Sequence, residues 1–148
     1  MSLAELFGDR QQLLVYHFMF APDWERGCKS CAFWADNFNG ITAHLAQRDI
    51  RFVAVSRAPL PKLQAFAKRL GWSFPWVSSG ESDFNFDYQV SFRPEQRATG
   101  KIGYNYSTIQ NSAEELPGIS VFYKAEEGSL FHTYFPMAWL ALHDEYAR

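Results

Sequence analysis

The chain has 148 residues, 47% hydrophobic and 20% charged, which suits one packed domain and excludes a disordered chain. A formal charge of −2 leaves no basic excess for a nucleic-acid backbone, and two cysteines are too few for a disulfide-stapled secreted scaffold. Two features stand out: an aromatic share of 18%, and both cysteines in one short segment, Gly27-Cys28-Lys29-Ser30-Cys31.

Met1 to Leu6 has no basic stretch ahead of an apolar core, so no secretory signal is read there. Leu13 to Phe20 is almost continuously apolar and predicts a strand buried on both faces, far too short to cross a bilayer. A loop from Ala21 to Gly27 follows. A helix is then predicted from Cys28 to about Gln47, because Phe33, Trp34, Phe38, Ile41 and Leu45 recur at spacings of three and four. Gly40 weakens its middle, since glycine costs a helix interior about 1 kcal/mol.

Ile50 to Ser56 is rich in β-branched residues and predicts a second strand. Pro59 and Pro61 open a helix to about Leu70, with Leu63, Phe66 and Leu70 on one face and Gly71 as its stop. Strand, helix, strand, helix implies a parallel pair. Trp76 to Ser79 reads as a short third strand. From Gly80 to Glu115 the chain turns rich in Asn, Asp, Ser, Gly and aromatics, which predicts an ordered insertion packing its rings on the domain. Ile119 to Tyr123 and Leu130 to Tyr134 then flank Ala125-Glu126-Glu127-Gly128 as a β-hairpin. Met137 to Arg148 predicts a short terminal helix. The whole reads as a single α/β domain over residues 1–148, a central mixed sheet flanked by helices.

Two thiols separated by two residues can cycle as a disulfide, share a metal or pack inertly. Cys28 falls where a helix should begin, and a helix N-terminus stabilises a thiolate through its free N–H groups and partial positive charge. Cys28 is therefore the expected nucleophile, and Cys31, one turn inward, the resolving thiol. Lys29 either adds positive potential or points to water. Zinc needs four ligands, and His17, His44, His132 and His143 offer no second pair at ligand spacing, so no metal and no cofactor are expected. His17, in the first strand, is the histidine with a route to the thiols. Trp24, four residues before Cys28, either shapes access to it or joins the core. Pro117 stands at the start of a late strand, where proline is tolerated; a cis bond there would face the thiols. Arg57, after the second strand, could anchor the insertion or bind an anion, and an exposed strand-end arginine is the preferred reading.

The strand, loop, Cys-x-x-Cys and helix start, together with the late Pro-strand-strand pattern, resemble a thioredoxin-like fold. Closer matches lie in Phe20-Ala21-Pro22-Asp23-Trp24-Glu25, Cys28-Lys29-Ser30-Cys31, Val55-Ser56-Arg57-Ala58-Pro59 and Gly71-Trp72-Ser73-Phe74-Pro75-Trp76-Val77-Ser78-Ser79. With Asp83-Phe84-Asn85-Phe86-Asp87, Ser120-Val121-Phe122-Tyr123 and Phe131-His132-Thr133-Tyr134, these resemble the DUF899 family from about Leu13 to Tyr134. The resemblance implies a bacterial protein with a thioredoxin-like fold and dithiol–disulfide oxidoreductase activity. A fainter likeness to peroxiredoxins rests on Phe74-Pro75 and Tyr88-Gln89-Val90. Their catalytic loop sets Pro and then Thr or Ser at fixed spacing before the cysteine. Here Pro22 lies six residues before Cys28 and Glu25 three before it, which argues against a peroxidase.

Two function classes follow. The first is a cytoplasmic thiol–disulfide oxidoreductase using Cys28 and Cys31, with Pro117, Trp24, Lys29 and Ser30 shaping its site. Its partners would be a disulfide-containing protein or a small thiol compound, and an electron donor that resets the pair, with no membrane or nucleic acid involved. The second is a non-catalytic adaptor whose aromatic insertion is the interaction surface, which would equally serve a homodimer. Alkylation of the purified protein across a pH series separates them. The enzyme should show one thiol reacting rapidly below pH 7, whereas adaptor thiols should titrate near the usual value of about 8.5.

Overall fold

The computed structural model describes residues 1–134; the helix predicted from Met137 lies outside the described residues. Thirteen elements run in chain order: α1 (Leu3–Leu6), β1 (Gln12–His17), α2 (Lys29–Asn39), α3 (Thr42–Ala46), β2 (Ile50–Ser56), α4 (Leu60–Leu70), β3 (Trp76–Ser78), α5 (Phe84–Asp87), α6 (Pro94–Ala98), β4 (Lys101–Tyr104), β5 (Ser107–Gln110), β6 (Gly118–Lys124) and β7 (Leu130–Tyr134). Five strands form one sheet in the order β3-β2-β1-β6-β7, and β4-β5 is a separate two-stranded ribbon. β1 is central: it runs parallel to β2, with Val15 opposite Val53, and antiparallel to β6, with Tyr16 opposite Ile119. The expected parallel unit and late hairpin are both present.

The apolar run of β1 is explained by cover on both faces. Alternate residues divide between two cores, as a strand period of two requires. Tyr16, Phe52 and Ala54 join Cys31 and Ala35 of α2 and Leu63 of α4, with Phe18, Phe20, Trp72, Phe74 and Trp76 completing that cluster. Leu13, Val15, Val53, Val55 and Phe122 face the other way and pack with Leu6 and Phe7, where Phe84 of α5 also lies. Burying so many large rings on one sheet face supplies much of the folding drive, at about 1.5–3 kcal/mol for each large apolar side chain.

Three local expectations change. The first strand does not continue to Phe20. Past His17 the Phe18 carbonyl accepts from the Ser56 hydroxyl (2.6 Å) and the Phe20 carbonyl from the Ala58 N–H (2.8 Å), so the chain leaves the ladder while its rings stay in the core. The long helix from Cys28 is two helices. Gly40 caps α2, and Asn39 at its end turns its side-chain oxygen to the Ser73 N–H at 2.8 Å. The inward face of α2 also differs, since Phe33 is 65% exposed whereas Cys31 and Ala35 are fully buried. Adjacent residues on a helix point about 100° apart, so Phe33 and Trp34 cannot both face the core. On α4, Leu63 is buried but Leu70, beside the left-handed Gly71 cap, is exposed.

The insertion builds a small core of its own from Val90, Phe92, Ile102, Tyr104 and Leu116, while Phe84 and Tyr88 pack on the sheet. Its anchor is Arg57, at the end of β2. The guanidinium bonds Glu115 at 2.6 Å and Glu114 at 2.5 Å and lies over the Phe86 ring, so Arg57 anchors the insertion and is not the exposed strand-end arginine preferred from the sequence. Glu115 is itself buried and also accepts from Ser91 at 2.7 Å.

His17 lies on the face opposite Tyr16, stacked near Phe84 and Tyr88, with its Nε2 2.8 Å from the Ser120 hydroxyl. Burial, and secondarily the nearby His132, lowers its pKa to about 3, so the ring is neutral in the fold. Unfolded, the same ring takes a proton near pH 6.5. Its contribution to stability is therefore complete above pH 6.5 and is lost as pH falls toward 3, by about 1.4 kcal/mol per pH unit. Urea unfolding at pH 7 and pH 5 should lose about 2 kcal/mol from this source in the wild type, and His17→Gln should be correspondingly flatter.

Candidate functional site

The site forms where β1 ends and α2 begins. Gly27, the residue before Cys28, has no room for a side chain: a Cβ there would sit 2.7 Å from the Phe18 ring. That close approach presses the loop onto the core. Lys62 of α4 holds it from outside, its Nζ donating to the carbonyls of Pro22 (2.8 Å) and Trp24 (2.9 Å). The Cys28 N–H then donates to the Met19 carbonyl at 3.1 Å, fixing the turn into the helix.

Cys28 is the N-cap of α2. Its sulfur accepts from the Cys31 N–H at 3.5 Å, in place of the side-chain oxygen that ordinarily satisfies a free donor there. Both cysteines are free thiols; Cys28 is half-buried and Cys31 fully buried. Burial pushes the Cys31 thiol well above its usual range, and the neighbouring Cys28 adds to that, while the Met19 amide and the Tyr16 hydroxyl pull the other way. The pair is thus asymmetric: one sulfur reaches solvent at a helix start, and the other is enclosed beneath it.

Pro117 is the residue before β6. It is buried, its peptide bond is trans, and its carbonyl accepts from the Tyr104 hydroxyl at 2.5 Å. The register of β6 on β1 sets Gly118 opposite His17 and Ile119 opposite Tyr16, which brings Pro117 to the β1 end that leads into the thiol loop. Trp24 is half-buried and packs on the same core cluster as Cys28. Lys29 is exposed and Ser30 half-buried. His17, by contrast, is turned away to the other face of the sheet, as the strand period demands.

Two tyrosines complete the cluster that spacing did not single out. Tyr16 donates its hydroxyl to the Cys31 carbonyl at 3.1 Å. Tyr104, from the insertion, is close enough to Cys31 that the thiol raises its pKa further, after the larger effect of burial. A tyrosine in a strand covered on both faces must find a partner for its hydroxyl, and that was the available signal for Tyr16. Nothing in the sequence marks Tyr104. A cleft of about 230 Å³ lined by Arg10, Arg51, Ser73 and Phe74 opens at the opposite end of the sheet and holds neither thiol. Among the described residues no helix is long and apolar enough to cross a membrane.

A mixed sheet flanked by helices, with a dithiol at the start of the helix that follows the central strand, defines the thioredoxin-like class, and solved structures agree. A PrxQ mutant from Xylella fastidiosa superposes with a TM-score of 0.56 at 14% identity, covering 99% of this chain and 81% of that one. Peroxidoxin BcpB from Mycobacterium tuberculosis gives 0.55 at 15% identity, covering 88% and 70%. Peroxiredoxin Q from Xanthomonas campestris gives 0.52 at 18% identity, covering 99% and 80%. At those identities the likeness is one of fold. No curated protein matches the chain in sequence. The chain belongs to DUF899, described as a bacterial protein of unknown function, whose sequence profile matches residues 1–146.

Removing the anchor of the insertion tests how the site is held together. Arg57→Ala leaves the Glu115 carboxylate buried without its cation, which should cost about 3 kcal/mol at pH 7. Burial already raises the pKa of Glu115, and losing the guanidinium raises it further. The deficit should therefore shrink as pH falls and the carboxyl takes a proton. Chemical unfolding at pH 7 and pH 5, with amide exchange across β4 and β5, reads both effects.

Proposed function

We propose that the protein is a thiol–disulfide oxidoreductase in which Cys28 attacks and Cys31 resolves. The observation that carries this reading is the asymmetry of the pair: Cys28 at the α2 N-terminus with access to solvent, Cys31 fully enclosed one turn on. The first step needs a thiolate, and the helix start is where the chain offers most to stabilise one. The Cys28 sulfur bonds one sulfur of the substrate disulfide, whose partner sulfur leaves as a thiolate. Cys31 then attacks the Cys28 sulfur, forms the intramolecular disulfide and releases the second substrate thiol. The substrate gains two electrons, the protein loses two, and a thiol reductant must return them.

Peroxiredoxin neighbours share the fold, and one of them, from Xanthomonas campestris, is described through alkyl peroxide reduction. A disulfide remains the favoured substrate class, because Pro22 and Glu25 stand out of register with a peroxiredoxin loop. Lys29 in open solvent, and Trp24 and Pro117 beside the loop, are proposed to shape approach to Cys28. The adaptor reading finds support in Tyr106 of the insertion, 83% exposed, but it leaves the asymmetric burial of the thiols without a use. A cycling pair is suited to a reducing cytoplasm.

Cys28→Ser should abolish reduction of an insulin-type or small disulfide, whereas Cys31→Ser should accumulate a substrate adduct on Cys28 visible by mass spectrometry. Full activity in Cys28→Ser would refute the assignment. An alkyl hydroperoxide reduced faster than any disulfide would move the substrate class to peroxides.

A further inference from the structure

The enclosed half of the dithiol is bonded by one phenol and lies within the electrostatic range of a second. Tyr16 is completely buried, and its ring is held edge-on by Phe18 (6.0 Å between centroids) and Phe38 (5.0 Å). Its hydroxyl donates to the Cys31 carbonyl at 3.1 Å, and the same hydroxyl favours the charged form of the Cys31 thiol against the effect of burial. Tyr104 approaches the same thiol from β4, but its hydroxyl is committed to the Pro117 carbonyl at 2.5 Å. A phenol carries one proton to donate. Tyr104 spends its proton on the Pro117 carbonyl, whereas the carbonyl that Tyr16 serves belongs to Cys31 itself, so Tyr16 is the hydroxyl placed to answer a charge on that residue.

We propose that Tyr16 is a catalytic residue of the resolving step, donating a hydrogen bond from its hydroxyl to the Cys31 sulfur as that sulfur ionises. This rests on the dithiol reading above. In the step, Cys31 releases its proton to water and its sulfur forms a bond to the Cys28 sulfur. The bond between Cys28 and the substrate sulfur breaks, and the substrate leaves with that electron pair and takes a proton from water. Tyr16 keeps its own proton throughout. Its hydroxyl turns from the Cys31 carbonyl to the sulfur while the charge lasts, and returns once the disulfide has formed.

The need for such a donor follows from the burial that defines the resolving thiol. A sulfur enclosed by apolar side chains resists ionisation, yet only the thiolate attacks. The groups bearing on Cys31 are Cys28 from its own helix, Tyr16 and the Met19 amide from β1 and the loop after it, and Tyr104 from β4. Of these, the Met19 amide and Tyr16 favour the charged sulfur. Burial keeps Tyr16 protonated far above neutral pH, so it remains a donor at every pH where the enzyme would work.

The test follows the two steps separately on the full chain with dithiobis(nitrobenzoate) as the probe disulfide. Attack by Cys28 releases one coloured thiol, and closure by Cys31 releases the second. In Tyr16→Phe the first release should stay within about twofold of wild type, while the second slows about tenfold at pH 7 and its pH midpoint rises by about one unit. Incorporating 3-fluorotyrosine at position 16, which makes the phenol a stronger donor, should move that midpoint down. A second release with unchanged rate and midpoint in Tyr16→Phe overturns the proposal. Should that variant not fold, a midpoint unmoved or raised by the fluorotyrosine overturns it equally. A wild-type protein that never gives the second release overturns the dithiol reading itself, a result distinct from any difference between the variants.

Discussion

β1 carries polar side chains through a sheet covered on both faces, and each must find its partner inside the protein. Tyr16 reaches the Cys31 backbone, His17 reaches Ser120, and Ser56 at the end of the neighbouring β2 bridges the Phe18 carbonyl and the Trp76 indole N–H. Burying any of these groups without a partner would cost roughly 1–3 kcal/mol. That requirement ties the central strand to the helix bearing the thiols on one side and to the late hairpin on the other. The position of the dithiol is thus a consequence of how β1 is satisfied as much as of the loop that follows it.

The insertion is bound to this frame by charge as well as by rings. Arg57 leaves the end of β2 and meets two carboxylates from the far end of the insertion, with Phe86 beneath the guanidinium. One of the two, Glu115, is buried and would be costly without the arginine. Tyr104 forms the other tie, spanning from the insertion's own core to the Pro117 carbonyl. Through these two contacts a segment of foreign composition is held to the end of β2 and to the residue before β6.

Sharing a fold with peroxiredoxins does not by itself fix the chemistry, because function resides in the site grafted on a fold. The local features of this chain are two cysteines separated by two residues and a glycine required by the Phe18 ring. Those features concern a few residues between β1 and α2. The sheet around them is common to proteins that treat their thiols differently.

The thioredoxin-like class was legible as a resemblance, while the sequence alone determined the bounds of β2 and α4 to within a residue, the late hairpin and the cysteine pair at a helix start. Those elements rest on contacts near in sequence: hydrophobic period, proline and glycine punctuation, and i to i+3 spacing. Gly40 was legible as a weak point of the helix, but that the helix stops there, that Phe33 turns outward and that β1 ends at His17 were not. Each is decided by what another segment offers, such as Ser73 to Asn39 or Ser56 to Phe18. The same holds for the site: Cys28 and Cys31 could be read from spacing, but Tyr16 beneath them could not. Nor could the hydrogen bond that joins Tyr104 to Pro117 be read from local pattern. Tertiary packing decided those, because a buried hydroxyl takes its partner from whatever the fold sets beside it, and no local pattern encodes that neighbour.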